Sequence, residues 1–392
     1  MEASVKAHGM DGTLVAPDWA PLALGEVRTL LRHFPECGQP LEILSASPRP
    51  FSAASVVATA SGKVFVKRHH RNVRDREGLL EEHRFLQYLR TRGAKVPRVI
   101  ANARGETAIE SGEWTYEVHE APEAVDLYGD ALSWTPFRTI AHARFAGQAL
   151  ARLHRVAEGF DAPPRQPRPL VASFTIFAAE DPGQELKSYL AARPALAMDA
   201  AVHVHAQEAI ELLAPYHAEL RPLLSALSPM WTHNDLHASN LLWSNAGDDA
   251  QAVSIIDFGL SDRTNAVHDL AHAIERNMVE WLALVDEPAR PERVQVHFDD
   301  LRALLEGYES ERPLSNEEAT ALAPMTALCH AEFALSEADY FLGVLHSKEK
   351  ASMAHDGWLV GHARWFRSAA GEGLLGVLRQ WAAERKTPRK ES

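Results

Sequence analysis

The sequence lacks the features of secreted, membrane-spanning and nucleic-acid-binding proteins. It has two cysteines, Cys37 and Cys329, without metal-ligand spacing, which indicates free thiols in a reducing compartment. No apolar segment follows the first charges of the N-terminus. The longest apolar run, residues 171–179, is about half as long as the ~20 residues that a membrane helix needs. We therefore predict a cytoplasmic protein with no membrane partner.

Positive charge is also scarce relative to negative charge. Forty lysines and arginines stand against 53 aspartates and glutamates, and the net charge of −13 argues against a nucleic-acid partner. An acidic protein favours cationic ligands through its long-range field. The twenty histidines are scattered and none stands in the zinc-protease pattern, which argues against a metal-dependent hydrolase.

The first part of the chain, up to about residue 92, has few segments with helical periodicity and contains β-type segments. Residues 1–22 show no period, and we expect them to run over the surface. Residues 23–34 have the spacing of a short amphipathic helix. Two β-rich runs, 55–60 and 63–67, are separated by Ser-Gly and predict a hairpin. A strong helical pattern follows at 76–92.

The second part is mainly helical. Helical spacing covers 139–155 and 204–227, and the proline-rich stretch 161–169 predicts a loop. A β-type insertion turns at 245–249, where the sequence NAGDD supplies turn residues. The chain ends in a basic tail, 385–392, which we expect to be disordered.

The most specific pattern is His-x-Asp-Leu-x-x-x-Asn, which runs from His233 to Asn240. Asp257-Phe258-Gly259 begins seventeen residues after Asn240. These are the catalytic-loop and metal-binding signatures of kinases, in the right order and joined by a predicted hairpin. In such a site Asp235 accepts the proton of the attacking hydroxyl, and Asn240 and Asp257 bind Mg²⁺ against the nucleotide phosphates. We expect His233 to brace the loop through hydrogen bonds rather than to exchange protons.

A kinase also needs a cation on the phosphates, and the strand 63–67 ends on Lys67. In the following helix, Leu79, Leu86 and Leu89 form one stripe that includes Glu82. A buried carboxylate is costly unless it is paired, so we predict that Glu82 pairs with Lys67 in the nucleotide site. The alternative is that Glu82 extends to solvent.

The loop that should cover the phosphates has no glycine-rich pattern. Residues 45–55, SASPRPFSAAS, are rich in small and hydroxyl residues. Ser52 and nearby backbone N–H groups are candidate phosphate donors. The alternative is an ordinary surface loop.

These residues resemble the aminoglycoside phosphotransferase and choline kinase superfamily, which is related to the protein kinases. HNDLHASNLLW is similar to its HGDLHxxNLL motif, IIDFGLSD to its metal-binding turn, and VHDLAHAIE to its segment containing Asp269. Asn234 departs from the glycine of that motif. For Asp269 we expect a cap of its helix or a brace of the catalytic loop. Arg263, just after the metal-binding turn, is a candidate contact for an acceptor carboxylate.

The resemblance implies an α+β, bilobal, protein-kinase-like fold with a small β-rich N-lobe and a larger, mostly helical C-lobe. We expect an N-terminal extension with a short helix over 1–44, the N-lobe over 45–121 and the C-lobe over 122–384. The implied cofactors are ATP or GTP and Mg²⁺. The implied partner is a small-molecule hydroxyl acceptor, and the net charge favours one that bears an amine.

Within that family the acceptor stays open. An aminoglycoside-phosphotransferase-like activity stands beside a metabolite kinase of the homoserine, hydroxylysine or choline type. A nucleotide-binding pseudokinase is disfavoured because Lys67, Asp235, Asn240 and Asp257 are all present. A protein kinase is disfavoured because nine residues between Gly259 and Asp269 leave no room for an activation segment.

Overall fold

The computed structural model describes residues 6–286 and 290–386. The predicted two-lobed α+β architecture is confirmed. Its strands are β1 (Ala7–His8), β2 (Leu14–Val15), β3 (Pro40–Ala46), β4 (Ala53–Thr59), β5 (Gly62–His70), β6 (Ile109–Ser111), β7 (Trp114–Glu120), β8 (Pro229–Thr232), β9 (Leu241–Trp243), β10 (Ala252–Ile255) and β11 (Asp262–Asn265).

The α-helices lie mostly in the C-terminal lobe. They are α1 (Leu24–Leu31), α2 (Arg76–Thr91), α3 (Ile140–Ala157), α4 (Pro182–Ala191), α5 (Pro194–Ala197), α6 (Ala200–Leu220), α7 (Ala266–Met278), α8 (Leu282–Asp286), α9 (Phe298–Glu311), α10 (Asn316–Leu328), α11 (His330–Gly343), α12 (Lys348–Ser352), α13 (Gly361–Phe366) and α14 (Ala369–Lys386). A π-helical segment, Met353–Val360, connects α12 to α13. No described helix is both long and apolar enough to cross a membrane.

The N-lobe is built on a five-stranded antiparallel sheet with strand order β3-β4-β5-β7-β6. The predicted hairpin is confirmed as β4 and β5, and Gly62 takes a φ of 131° at its turn. Val64 and Val66 point into a core that they share with α1. Because side chains alternate along a strand, Lys67 lies on the other face, toward the C-lobe.

The C-lobe is organised around α7, in which all thirteen residues are buried. Helices α3 and α9 pack together very closely. A Cβ at Gly147 would lie 2.1 Å from the carbonyl oxygen of Leu304, and one at Gly307 would lie 2.0 Å from that of Arg144. The two glycines therefore permit the contact that holds α9 against α3.

The N-terminal segment differs from the expectation for residues 1–22. Its described part, 6–22, contacts both lobes instead of running freely over the surface. Trp19 stacks on His70 of the sheet, with ring centroids 5.0 Å apart, and Asp18 accepts hydrogen bonds from Tyr340 and Lys350 of the C-lobe. These side chains are too far apart in the chain for a periodicity argument to connect them.

At the other end, α14 runs to Lys386, so the first two residues of the predicted disordered tail are helical. Arg385 forms an ion pair with Glu309 and donates a hydrogen bond to the carbonyl oxygen of Leu314. Residues 387–392 of that prediction lie outside the described residues.

Candidate active site

The catalytic-loop motif lies between β8 and β9, at the junction of the two lobes. The carboxylate of Asp235 accepts a hydrogen bond of 3.1 Å from the side chain of Asn240, and its Oδ1 lies 3.3 Å from Nε of Arg276. The N–H of Asp235 donates to Nδ1 of His233, whose Nε2 donates to the carbonyl oxygen of Ile256. His233 therefore braces the loop through hydrogen bonds, and both of its ring nitrogens are engaged.

Asp269 of α7 lies beneath this loop and is fully buried. Its carboxylate accepts the backbone N–H groups of His233 and Asn234, at 2.8 and 2.7 Å, and a bond of 2.9 Å from His154. Burial opposes ionisation, but the hydrogen bond and charge of His154 lower the pKa of Asp269. Of the two expected roles, the brace is the one observed, because the side chain of Asn265 caps α7.

The departure at Asn234 has a conformational explanation. Asn234 has a φ of 61°, in the left-handed region that glycine adopts freely and asparagine tolerates better than most residues. Its amide is buried and accepts hydrogen bonds from Thr232 and Thr264, while its Nδ2 donates to the carbonyl oxygen of Ala172. Asparagine thus meets the backbone requirement and ties the loop to its surroundings.

Replacing Asn234 by glycine or alanine separates these two contributions. Both variants lose the same amide hydrogen bonds, each worth about 1 kcal/mol, so both should be less stable than the wild type. Only alanine has a Cβ, and holding such a residue in the left-handed backbone conformation costs about 1–2 kcal/mol. We therefore expect Asn234→Ala to unfold at a lower urea concentration than Asn234→Gly. Equal midpoints for the two variants would contradict the conformational explanation.

The second motif follows β10 and places Asp257 beside Lys67. Asp257 has a φ of 58°, and its Oδ1 lies 2.9 Å from Nζ of Lys67. Burial would raise the pKa of Asp257, but the Lys67 charge and hydrogen bond lower it to about 2. Asp257 raises the pKa of Lys67 in turn, against the effect of burial. Both groups are therefore charged at neutral pH.

Asn240 and Asp257 meet because the N–H of Ile256 donates to the carbonyl oxygen of Asn240, at 2.9 Å. The side-chain nitrogen of Asn240 is occupied by Asp235. Among the described residues, no hydrogen bond reaches its Oδ1. An ionised carboxylate and a free amide oxygen are hard ligands, so this pair fits Mg²⁺.

Two cavities meet at this point. The larger, of about 420 Å³, lies between the lobes and is lined by apolar side chains of both, including Val56, Phe65, Leu242 and Ile256. The smaller, of about 140 Å³, contains Asp235. Four residues line both cavities: Arg49, Lys67, Asn240 and Asp257. We call these four residues the charged junction. The site therefore consists of an interlobe cavity, the charged junction and a second cavity that contains the Asp235 carboxylate.

Comparison with known proteins identifies the family. Residues 50–314, more than half of the chain, match the family model APH, described as the phosphotransferase enzyme family. The chain belongs to the phosphotransferase enzyme family. No curated protein sequence matches it significantly.

Solved structures agree with this phosphotransferase fold. An aminoglycoside phosphotransferase from Alicyclobacillus acidocaldarius is 16% identical, with a TM-score of 0.50 over 93% of this chain and 98% of that one. Spectinomycin phosphotransferase is 12% identical, with a TM-score of 0.51 over 93% and 100%. A choline/ethanolamine kinase family protein from Mesorhizobium loti is 16% identical, with a TM-score of 0.50 over 91% and 99%. At these identities the similarity concerns the fold.

The pairing predicted for Lys67 is different in this phosphotransferase. Among the described residues, the carboxylate within ion-pair distance of Lys67 is that of Asp257, not Glu82. Glu82 is buried in the predicted stripe of α2, which excludes the solvent-exposed alternative. Its Oε2 lies 3.5 Å from Nη2 of Arg165, a buried residue of the 161–169 loop. Glu82 still lines the larger cavity and raises the pKa of Lys67 through its charge.

The loop before β4 contains a cation that the sequence analysis missed. Arg49 lies in the segment searched for phosphate donors, and its guanidinium donates to Ser239 of the catalytic loop and to the carbonyl oxygen of Ala131. Ser52, the residue predicted there, lines the smaller cavity. The sequence did contain an indication of this residue, because Arg49 is the one cationic side chain among residues 45–55 of the predicted phosphate loop.

Contrary to the expectation for Arg263, residues 261–263 of the segment that follows Asp257-Phe258-Gly259 line neither cavity. Asp262 and Arg263 belong to β11, which pairs with β8. Arg263 donates to Asp161 and to the carbonyl oxygen of Ala162, and Asp262 accepts the N–H groups of Arg165 and Arg263. Nη1 of Arg263 and the carboxylate of Asp262 thus hold the 161–169 loop, and neither residue lines the cavity that contains Asp235.

Proposed function

We propose that this phosphotransferase transfers the γ-phosphate of ATP or GTP to a hydroxyl group of a small molecule, with Mg²⁺ as cofactor. One observation carries the proposal: Lys67, Arg49, Asn240 and Asp257 line both cavities, and Asp235 lines the smaller one. A nucleotide in the larger cavity would thus have its phosphates at the charged junction. The spectinomycin phosphotransferase of similar fold has been solved with ADP and spectinomycin.

The residues of the junction suit the donor side of the reaction. Phosphoryl transfer depends mainly on positioning and on neutralising the phosphate charge. Lys67 and Arg49 supply two cations there. Asn240 and Asp257 would hold Mg²⁺, which neutralises phosphate charge when it is bound. The ion pair between Lys67 and Asp257 keeps both groups charged and in place before a nucleotide arrives.

Asp235 suits the acceptor side. Its two carboxylate oxygens are oriented by Asn240 and Arg276. Burial raises its pKa, partly offset by the charge of Arg276, so its basicity exceeds that of an exposed aspartate. We propose that Asp235 orients the acceptor hydroxyl and accepts its proton as the phosphoryl group transfers.

The smaller cavity favours a small acceptor over an aminoglycoside. Its volume of about 140 Å³ lies below the usual range of ligand pockets, roughly 300–1,000 Å³. Besides Asp235 and Asp257, its one carboxylic acid among the described lining residues is Glu337. Burial raises the pKa of Glu337 to about 8, so this group is largely neutral at pH 7. A polycationic acceptor would find few carboxylates here, whereas a compact hydroxylated metabolite fits.

A coupled ADP-release assay with Mg·ATP or Mg·GTP tests the proposal across aminoglycosides, amino alcohols, hydroxylated amino acids, sugars and nucleosides. We expect turnover on a compact hydroxylated compound and none on aminoglycosides. Thermal shift with a non-hydrolysable nucleotide provides the binding control, since a ligand at 100 times its Kd adds about 2.7 kcal/mol of stability. Turnover on aminoglycosides alone would reverse the acceptor assignment, and absence of any nucleotide-dependent shift would contradict the donor assignment.

A further inference from the structure

A second group of potential metal ligands lies inside the C-lobe, away from the nucleotide phosphates. Glu275 of α7, His330 of α11 and His362 of α13 converge there, and we call them the Glu275 cluster. Their exposed fractions are 0%, 2% and 2%. Three helices that are distant in sequence thus contribute one polar side chain each to the same point in the core.

The polar atoms of the Glu275 cluster have no hydrogen-bond partners within the described structure. This applies to both carboxylate oxygens and to all four imidazole nitrogens. Leaving a buried polar group unpaired is destabilising, and more so if the group is charged. Six such atoms on three converging side chains indicate that a binding partner other than a protein side chain belongs there.

The spacing of the cluster fits a shared ion. Oε1 of Glu275 lies 3.5 Å from Nδ1 of His330 and 3.4 Å from Nδ1 of His362. Ligands bound tetrahedrally at about 2.0–2.1 Å from Zn²⁺ lie about 3.3–3.4 Å apart, whereas a direct N–H···O bond would bring the atoms to about 2.9 Å. Both Glu275–histidine distances therefore exceed a normal hydrogen-bond length and match the separation of two ligands of one Zn²⁺ ion, and the three ligand atoms all lie within 4.8 Å of one another.

A second buried group, which is also close enough to hold an ion, provides an internal comparison within the described residues. Glu117 of β7 lies 2.9, 2.8 and 2.7 Å from the Nε2 atoms of His69, His83 and His119. Those are ordinary hydrogen-bond lengths, and they satisfy the Glu117 carboxylate without an ion. The contrast shows that burying histidines beside a glutamate does not by itself produce the wider, unbonded spacing of the Glu275 cluster.

We propose that Glu275, His330 and His362 bind one Zn²⁺ ion. Two neutral imidazoles and a carboxylate are ligands that zinc accepts. The second carboxylate oxygen of Glu275, which also lacks a partner, can complete a four-coordinate site. The ring of Trp281 stacks on that of His362, with centroids 3.7 Å apart, and covers one face of the imidazole. The ion would join α7, α11 and α13 and satisfy polar atoms that otherwise lack partners.

The position of this ion connects it to the catalytic loop. Arg276, the next residue on α7, lies 3.3 Å from the Asp235 carboxylate. The same helix carries Asp269, which holds the backbone of that loop. A zinc ion on Glu275 would therefore act as a positioning element for α7, without contacting substrate.

The test is metal analysis of protein purified without a histidine tag from zinc-supplemented medium. We expect about one zinc per chain by mass spectrometry, and background content in the His330→Ala/His362→Ala double variant. Two matched controls should retain zinc. His217→Gln changes a buried C-lobe histidine outside the cluster, and Asp257→Ala removes the proposed Mg²⁺ ligand.

A measurement on the wild-type protein covers the case in which the double variant does not fold. Chelator-treated protein should show a lower Tm, restored by Zn²⁺ but not by Mg²⁺. Co²⁺ in place of Zn²⁺ should give the visible absorption of a four-coordinate ion. Background zinc in the wild type together with no Co²⁺ spectrum would overturn the proposal, as would loss of the zinc in Asp257→Ala but not in the double variant. None of these readouts depends on phosphotransferase activity, so they fail or succeed independently of the proposed function.

Discussion

The Asp235→Asn variant is expected to lower kcat by about 10²–10⁴-fold, the usual contribution of a general base, while its Kd for the nucleotide changes little. The substitution preserves the shape of the side chain and removes its capacity to accept a proton. Asp235 lines the smaller cavity and not the larger one, so nucleotide binding should be spared. Single-turnover kinetics and nucleotide titration measure the two quantities separately.

The pH dependence gives an independent check on Asp235. The reaction needs its carboxylate ionised, so activity should fall as the pH is lowered through its pKa, which burial raises above the ordinary value of 3.8. Asp257, with a pKa of about 2, remains ionised over that range and cannot produce the same acid limb. The residual activity of Asp235→Asn should lack the limb. A variant with near-normal kcat, or with an unchanged acid limb, would remove Asp235 from the role of base.

The Asp257→Ala variant is expected to lose nucleotide binding and turnover together. It removes a proposed Mg²⁺ ligand and leaves Lys67, whose side chain is 12% exposed, without its ion-pair partner. Metal ions contribute several kcal/mol to transition-state stabilisation, and about 1.4 kcal/mol is tenfold in rate. We therefore expect kcat/KM to fall by about 10³-fold or more, with a weaker Kd for Mg·nucleotide in calorimetry.

Asp249→Ala is the matched control for this experiment. Asp249 is an exposed aspartate in the turn between β9 and β10, so the substitution removes the same charge from the hairpin that precedes Asp257 without changing a residue that lines both cavities. Its kinetics should equal those of the wild type. If Asp257→Ala retained the Mg²⁺-dependence of nucleotide binding, the assigned metal ligands would be incorrect.

The elements that sequence could predict are those governed by short-range patterns. Strands β4 and β5 contain β-rich runs on either side of a Ser-Gly turn, and α2 has a continuous apolar stripe. The two motifs around Asp235 and Asp257 were recognisable because each has a fixed spacing along the chain. The structure brings both motifs together, because the backbone N–H of Ile256 donates a hydrogen bond to the carbonyl oxygen of Asn240.

The contacts that sequence could not predict depend on segments that approach from elsewhere in the chain. Burial of Glu82 followed from periodicity, but its nearness to Arg165 depends on how the 161–169 loop returns to α2. Arg49 needed the fold to bring its loop against Ser239. Arg263 had the right charge near the right motif, yet strand pairing between β8 and β11 directed it to Asp161.

The contacts of residues 6–22 have a mechanical consequence. The chain passes between the lobes near residues 121–125, and the N-terminal segment provides a second attachment through Trp19 on the sheet and Asp18 on the helices. Residues 8–10 also form part of the wall of the smaller cavity. A movement of one lobe against the other would therefore strain this segment and displace one wall of the smaller cavity at the same time.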